Sequence, residues 1–386
     1  MVTAGATFCV LGEHRARWLP TGDEAFAAMI ALIDSAQHSV CLETYMVRGA
    51  GPAEQVRAAL LRARARAVQV HVLYDAFGSE GLEPQFFAAV AAAGAGVRVY
   101  SPSRRLRLAC RDHRKLLVVD EQRAIVGGFN IAPEYAGDGV TRGWYDLGLW
   151  IEGPVVGQLA VSFRALYALA PISPHAIHQY RRALRALLPP SLASSVSLLT
   201  SGPGWPRGRL RWALRSDLSA AVVVRCMAGY FLPPAGIRRS LRRCRMHGGS
   251  VQVLLAGTSD VPVARYAAEH LYGRMLAGGA QLFEYQPQVL HAKLLVLDDV
   301  VYVGSCNLDR RSLDINHELL LRLVWPELAA QARELFALAL AHSRALSRAQ
   351  WSHRRRWWAR LRSRLAYWLL TRVDPLLARR RLRGLT

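Results

Sequence analysis

His113-Arg114-Lys115-Leu116-Leu117-Val118-Val119-Asp120 returns late in the chain as His291-Ala292-Lys293-Leu294-Leu295-Val296-Leu297-Asp298. Each string is a His-x-Lys-x4-Asp motif at the head of an apolar run. Residues i and i+2 of a strand face the same way, so the spacing predicts that His113 and Lys115 share one face, as do His291 and Lys293. A single copy reads equally well as a histidine at the head of an ordinary buried strand. Two copies in matching context discount that reading. The chain holds 50 lysines and arginines, yet Lys115 and Lys293 are its two lysines. The arginine bias fits coding preference, which makes the placement of the two lysines informative.

The similarity extends outward from the motifs. The first copy opens on the extended run Val40 to Val47, followed by a helix (Ala53 to Ala67) and a β-rich run (Val68 to Tyr74). A second helix (Pro84 to Ala93) and the strand Val97 to Tyr100 lead to the motif. The second copy begins at Ala221, with a helix over Gly236 to Met246 and a strand over Val251 to Leu255. A helix over Val263 to Leu276 and a strand over Gln281 to Tyr285 precede its motif. Strands alternating with helices of this length predict two similar α/β lobes, each with a largely buried sheet. Pro189-Pro190 and the Ser-rich stretch after it mark the boundary. The expected division is a first lobe over 1–190, a second over 191–330 and a basic helical tail over 331–386.

Composition limits the possible partners. The 386 residues are 52% hydrophobic and 20% charged, which fits a folded protein with a sizeable core. A formal net charge of +22 calls for an anionic partner: nucleic acid, an acidic membrane surface or a phosphorylated substrate. Cys9, Cys41, Cys110, Cys226, Cys244 and Cys306 form no CxxC pair, so they read as reduced core thiols of a cytosolic protein, with no zinc site or disulfide framework. The first residues do not resemble a signal peptide. Every apolar run is broken by charge, so no transmembrane helix is expected.

The motif residues suit chemistry at phosphorus. An ammonium holds the anion while an imidazole attacks or moves a proton, and displacement needs a nucleophile on one side and an acid on the other. Gly127-Gly128-Phe129-Asn130 follows the first motif as Gly304-Ser305-Cys306-Asn307 follows the second. Glycines and serines let a backbone approach a ligand, and the Asn130 and Asn307 amides are candidate donors to phosphate oxygens; a turn-forming asparagine is the alternative. Asp146 and Glu318 lie in short strand-like runs. A buried carboxylate there would orient an imidazole, against the alternative of a solvent-facing acid on an edge strand.

The duplicated motif resembles that of the phospholipase D superfamily. Glu43-Thr44-Tyr45, Asp75-Ala76-Phe77-Gly78-Ser79 and Asn307-Leu308-Asp309-Arg310-Arg311-Ser312 with Asn316 and Glu318 are most similar to bacterial cardiolipin synthases. The resemblance spans roughly Leu19 to Leu323 and implies two α/β/α lobes with the active site on a pseudo-twofold axis between them. It implies transfer of a phosphatidyl group from phosphatidylglycerol to an acceptor lipid, with no metal or cofactor. In that scheme His113 is the nucleophile and His291 the acid and base. Lys115, Lys293, Asn130 and Asn307 bind phosphate, Asp146 and Glu318 orient the rings, and Asp120 and Asp298, the acids of the two catalytic motifs, fix strand ends. Relatives commonly carry Asn before the first motif histidine; Asp112 here is expected to add a negative charge beside the site. No N-terminal transmembrane pair like that of longer synthases is expected.

The tail supplies another route to lipid. Trp357, Trp358, Leu361, Leu365, Trp368 and Leu369 fall in one helical sector flanked by Arg356, Arg360 and Arg362. That pattern predicts an interfacial helix on the cytoplasmic face of an anionic membrane; the alternative is a helix packed on the protein itself. Other readings are a hydrolytic phospholipase D, a nuclease of the same superfamily, and a binding scaffold with dead sites. The Trp-Leu face and the synthase-like loops weigh against nucleic acid, and the two intact motifs weigh against the scaffold.

Overall fold

The computed structural model describes residues 7–100, 110–170, 182, 194–202, 209–349, 351 and 357–382. The first lobe runs β1 (Cys9–Leu11), β2 (His14–Leu19), α1 (Gly22–Asp34), β3 (Ser39–Thr44), α2 (Pro52–Ala65), β4 (Gln69–Asp75), α3 (Ala88–Ala92) and β5 (Gly96–Tyr100). It continues through β6 (Leu116–Val119), β7 (Arg123–Gly127), β8 (Gly148–Glu152) and α4 (Val155–Leu169). The second lobe runs β9 (Val196–Ser201), α5 (Arg209–Ala220), β10 (Val223–Ala228), α6 (Ala235–Met246), β11 (Ser250–Ala256), α7 (Pro262–Ala277) and β12 (Gln281–Tyr285). Then come β13 (Lys293–Leu297), β14 (Val300–Gly304), α8 (Arg310–Asp314), β15 (Glu318–Val324), α9 (Pro326–Ala341) and β16 (Ser343–Leu346). The chain ends in α10 (Trp357–Trp368), a π-turn over Leu369–Val373 and α11 (Asp374–Leu382).

Each lobe holds an eight-stranded sheet, ordered β1-β2-β8-β7-β6-β3-β4-β5 and β16-β12-β11-β10-β13-β14-β15-β9. Read from opposite ends, the strand orders match from β2 through β5 and from β9 through β12, so the repeat seen in sequence is a repeat of topology. The βαβ units β3-α2-β4 and β10-α6-β11 pair in parallel, while the motif strands β6 and β13 enter antiparallel to β3 and β10. Between β6 and β7 the turn is Asp120–Gln122, one residue longer than Asp298–Asp299 between β13 and β14.

Period-two alternation explains the packing. On β6, Leu117 and Val119 join the core beneath α1 and α2, while Leu116 and Val118 point to the opposite face. That second face meets Leu294 and Val296 of β13 in one shared core, closed by α4 and α9. Burial on both faces is why the motif strands read as unbroken apolar runs. α2 follows its local signals closely: Pro52 opens it, Glu54 lies in its first turn, and Arg62 and Arg64 lie in its last.

Several expectations need correcting. Only Ala88–Ala92 of the predicted Pro84–Ala93 helix is α-helical; before it the chain runs in turns that bury both Phe86 and Phe87, edge to face at 4.9 Å. Residue 331 is no domain boundary, because it lies inside α9, whose Leu328, Ala332, Leu335 and Phe336 belong to the shared core. The tail also contains a strand. Ser343–Leu346 adds to β12 as the sheet edge, and its sequence Ser-Arg-Ala-Leu carries no β signal of its own. The expected boundary near Pro190 lies outside the described residues. All six cysteines are buried and free, and no described helix is long and apolar enough to cross a membrane.

Candidate active site

The motif histidines lie just before β6 and β13, in extended segments that the opposite lobe pins through its backbone. The His113 amide donates to the carbonyl of His317 at 3.0 Å, and the His317 amide to that of Arg111 at 2.9 Å. Across the pseudo-twofold, the His291 amide donates to the Tyr145 carbonyl at 2.8 Å and the Tyr145 amide to that of Val289 at 2.9 Å. The pinning residues immediately precede Glu318 and Asp146. Each clamp therefore delivers a carboxylate from one lobe to the imidazole of the other. His291 Nδ1 lies 2.6 Å from Asp146 Oδ2, and His113 Nδ1 lies 3.0 Å from Glu318 Oε1. An ionised Asp146 only accepts, so the Nδ1–H tautomer of His291 is favoured and its Nε2 faces the cavity.

The strand after each motif leaves room for these acids in different ways. A Cβ at Gly128 would stand 2.1 Å from Asp146 Oδ1, so only glycine fits beside that carboxylate. At the corresponding place Ser305 donates its hydroxyl to Glu318 at 2.5 Å. Lys115 Nζ donates to the His113 carbonyl at 2.7 Å; Lys293 donates to the His291 carbonyl, with Nζ 2.8 Å from His291 Nδ1. Lysine and histidine of each motif thus meet on one side of the backbone.

Both histidines, Asn130 and Asn307 line one cavity of about 440 Å³. Asn130 accepts from the Met46 amide at 3.2 Å and donates to the Tyr135 hydroxyl at 2.6 Å, while Asn307 Oδ1 is buried without a hydrogen-bond partner. Asp120 and Asp298 lie at the far ends of the motif strands. Asp120 accepts from the backbone amides of Gln37, His38 and Ser39 at 2.7–3.1 Å, and Asp298 from Val222 and Val223 at 3.0 and 2.8 Å. They tie β6 to β3 and β13 to β10, and neither lines the cavity.

Burial dominates the electrostatics. It pushes His113 well below the ordinary imidazole range, with Lys115 and Lys293 adding to the effect. Burial and Lys293 bring His291 down to about 4, against an upward pull from Asp146. Both ammonium groups are depressed by burial, Lys115 to about 7 and Lys293 to about 8. Burial raises Glu318 to about 8 despite Lys115. For Asp146 the same burial is outweighed by Lys293 and His291, which hold it below the usual carboxylate range. His291 therefore faces the more firmly ionised partner.

The negative charge expected at Asp112 is opposed by its surroundings: burial and the neighbouring Glu43 raise Asp112 well above the carboxylate range. Arg114, itself fully buried, lies 3.0 Å from Glu43 and supplies a compensating cation to the two carboxyls. In the second half the equivalent positions are Met227, Leu290 and Ala292, an apolar solution to the same packing.

Sequence reasoning passed over several cavity groups. Tyr135, in a single 3₁₀ turn, accepts from Asn130, which leaves its own proton for His291 Nε2 at 3.5 Å. Trp144 and Tyr230 also lie against His291, at ring-centroid distances of 5.7 and 6.2 Å, and Tyr230 donates to Asp260 at 2.7 Å. None lies in a repeated string, so the duplication carried no signal for them.

A family model for the "cardiolipin synthase, PLD-like domain" matches residues 29–167 and 216–339. The chain belongs to that family. It is 31% identical to cardiolipin synthase A of Pseudomonas entomophila (strain L48) over 84% of this chain and 68% of that protein. It is 30% identical to cardiolipin synthase B of Salmonella typhi over 78% of this chain and 74% of that one. The crystal structure of phosphatidylserine synthase from Haemophilus influenzae Rd KW20 shares the fold at TM-score 0.72 and 14% identity, covering 96% of both chains. Polyphosphate kinase from Porphyromonas gingivalis shares it at TM-score 0.59 and 13% identity, covering 87% of this chain and 49% of that one. The enzyme is a phosphatidyltransferase of the phospholipase D superfamily.

Proposed function

We propose that the enzyme makes cardiolipin by moving a phosphatidyl group from one phosphatidylglycerol to another through a phosphohistidine. His113 Nε2 attacks phosphorus, and His291 protonates the departing glycerol. His291 then takes the proton of the incoming lipid hydroxyl as the P–N bond breaks. Lys115, Lys293, Asn130 and Asn307 hold the phosphate oxygens, and Asp146 and Glu318 keep the two rings in register. The observation that carries this reading is the reciprocal exchange of carboxylates, which aims two imidazoles from different lobes at one cavity. The ionised Asp146 beside His291 and the Tyr135 hydroxyl near its Nε2 support the division of roles. Purified enzyme on phosphatidylglycerol vesicles, without added metal, is expected to yield cardiolipin and glycerol in equal amounts. Phosphatidic acid as the sole lipid product would make it a hydrolase, and cleavage of DNA without lipid turnover a nuclease.

Contact with the cytoplasmic face of the membrane belongs to the same proposal. α10 packs on α7 through Ala366 and Ser363, and Arg362 stacks on Tyr266 at 3.6 Å. Its other side is bare: Trp357, Leu361, Leu365 and Trp368 are 76%, 59%, 62% and 55% exposed. A helix that docks on its own protein through small residues and turns tryptophan and leucine outward, with Arg360 and Arg364 also exposed, suits an anionic lipid surface. Arg356 lies outside the described residues. The π-turn after α10 brings Leu370 and Thr371 to the cavity wall, so the exposed face adjoins the route to the histidines. Changing Trp357, Leu361 and Leu365 together to serine is expected to weaken binding to phosphatidylglycerol vesicles by on the order of 100-fold. Turnover of detergent-dispersed lipid should be retained; unchanged vesicle affinity would remove the tail from the membrane contact.

A further inference from the structure

A second cavity, of about 450 Å³, opens between α6 and α7 and shares no lining residue with the catalytic one. Its floor is apolar, made of the buried Leu241, Leu271 and Met275. Its walls carry the guanidinium groups of Arg238, Arg239, Arg242 and Arg245 from α6 and Arg274 from α7, and no lining residue is acidic. None of these arginines has an ion pair among the described residues. Elsewhere the fold does pair its arginines: Arg211 with Asp314, Arg311 with Asp374, Arg322 with Asp217 and Arg344 with Glu284.

The cations of α6 are placed against the interest of the helix. Arg238, Arg242 and Arg245 recur at i, i+4 and i+7, so like charges stack along one face. Arg238 also stands in the first turn, where the helix dipole disfavours a cation. Neutral groups hold several of the side chains. Arg238 Nη1 donates to the Pro233 carbonyl at 2.7 Å and to the Tyr367 hydroxyl of α10 at 3.2 Å, and Arg245 Nη1 donates to the Gly249 carbonyl. Arg274 Nη2 lies 2.9 Å from His270 Nε2. Arg245 Nε is buried with no hydrogen-bond partner, a donor that the fold itself leaves unsatisfied.

Mutually repelling guanidinium groups above an apolar floor form a receptor for a phosphate joined to a carbon skeleton. Forked donors match phosphate oxygens, and a monoester brings about two charges and three acceptor oxygens. We propose that this cavity binds an organic phosphate monoester, with its phosphate among the arginines and its carbon skeleton on Leu241, Leu271 and Met275. The inference does not depend on the transfer reaction. Through Tyr367 the site adjoins α10, the helix with the exposed tryptophans, so a monoester can reach it from water or from a lipid surface.

The test uses the full chain, glycerol 3-phosphate in solution, and phosphatidylcholine vesicles with and without phosphatidic acid. Arg242→Gln combined with Arg274→Gln is compared with Arg215→Gln combined with Arg243→Gln. All four arginines are exposed, the net charge of the two double variants is the same, and the second pair lies outside the cavity. Both leave the catalytic cavity intact, so phosphate held there is common to both. By calorimetry or vesicle sedimentation, the first pair is expected to bind the monoester on the order of 10-fold to 100-fold more weakly than the second. A loss seen with glycerol 3-phosphate identifies a free organic phosphate as ligand, and a loss confined to the phosphatidic acid vesicles identifies a lipid. Equal affinity of the two double variants in both arms, or no binding of either probe by wild type, would overturn the inference and leave the transfer reaction standing.

Discussion

Replacing His113 by alanine is expected to cut cardiolipin formation by on the order of 10⁴-fold or more, because in the proposed mechanism His113 carries the phosphatidyl intermediate. His291→Ala should be equally poor with phosphatidylglycerol, so activity on that lipid does not separate the roles. A phosphodiester with an aryl leaving group does, since its departure needs no proton. With it, His291→Ala should still accumulate a phosphoenzyme and His113→Ala should not; the reverse pattern would exchange nucleophile and acid. The pH profile follows from the same groups. In the proposed mechanism the two lysines hold the phosphate, which they can do only while protonated, and burial brings them to about 7 and about 8. In wild type, kcat/KM is therefore expected to fall across that range as pH rises, far below the ordinary lysine range. A profile flat to pH 10 would mean that the ammonium groups do not act as phosphate ligands.

Asp146→Asn should cost on the order of 10² to 10⁴ in kcat, although the residue touches no substrate. The asparagine amide can donate to His291 Nδ1 and turn the proton-bearing nitrogen toward the cavity. His291 also loses the Asp146 charge that raises its proton affinity. Gly128→Ala offers an independent route to the same defect, since its Cβ would stand 2.1 Å from Asp146 Oδ1 and force the carboxylate away. Both variants should keep the unfolding midpoint close enough to wild type for the folded protein to be assayed. If both also kept wild-type kcat, the carboxylate–imidazole contact across the lobes would be a packing feature with no part in turnover.

Much of the molecule is legible in one dimension. The apolar runs after His113 and His291 demand strands buried on both faces, and the alternation of helix and strand around them demands two similar sheets. The motif acids are also readable: Asp120 and Asp298 sit one strand length from their lysines, too far along β6 and β13 to reach the same phosphate. Other features escape because their signal is weak or shared. Ser343–Leu346 becomes a strand only because β12 offers an open edge, and a residue such as Tyr135 or Asp260 looks like any other loop residue.

The sequence by itself determined the fold class, the two motif histidines that line the cavity and the duplication that relates them, since these follow from period-two burial and from spacing along a strand. Only the tertiary structure decided which carboxylate serves which ring. Tyr145 and His317 pair with the opposite lobe and so carry Asp146 to His291 and Glu318 to His113. It also decided that Asp112 is buried beside Glu43, which together with burial raises it well above the carboxylate range. Charge states and pairings of this kind depend on distances between segments far apart in the chain, and on how much water the fold leaves between them; no local pattern encodes either.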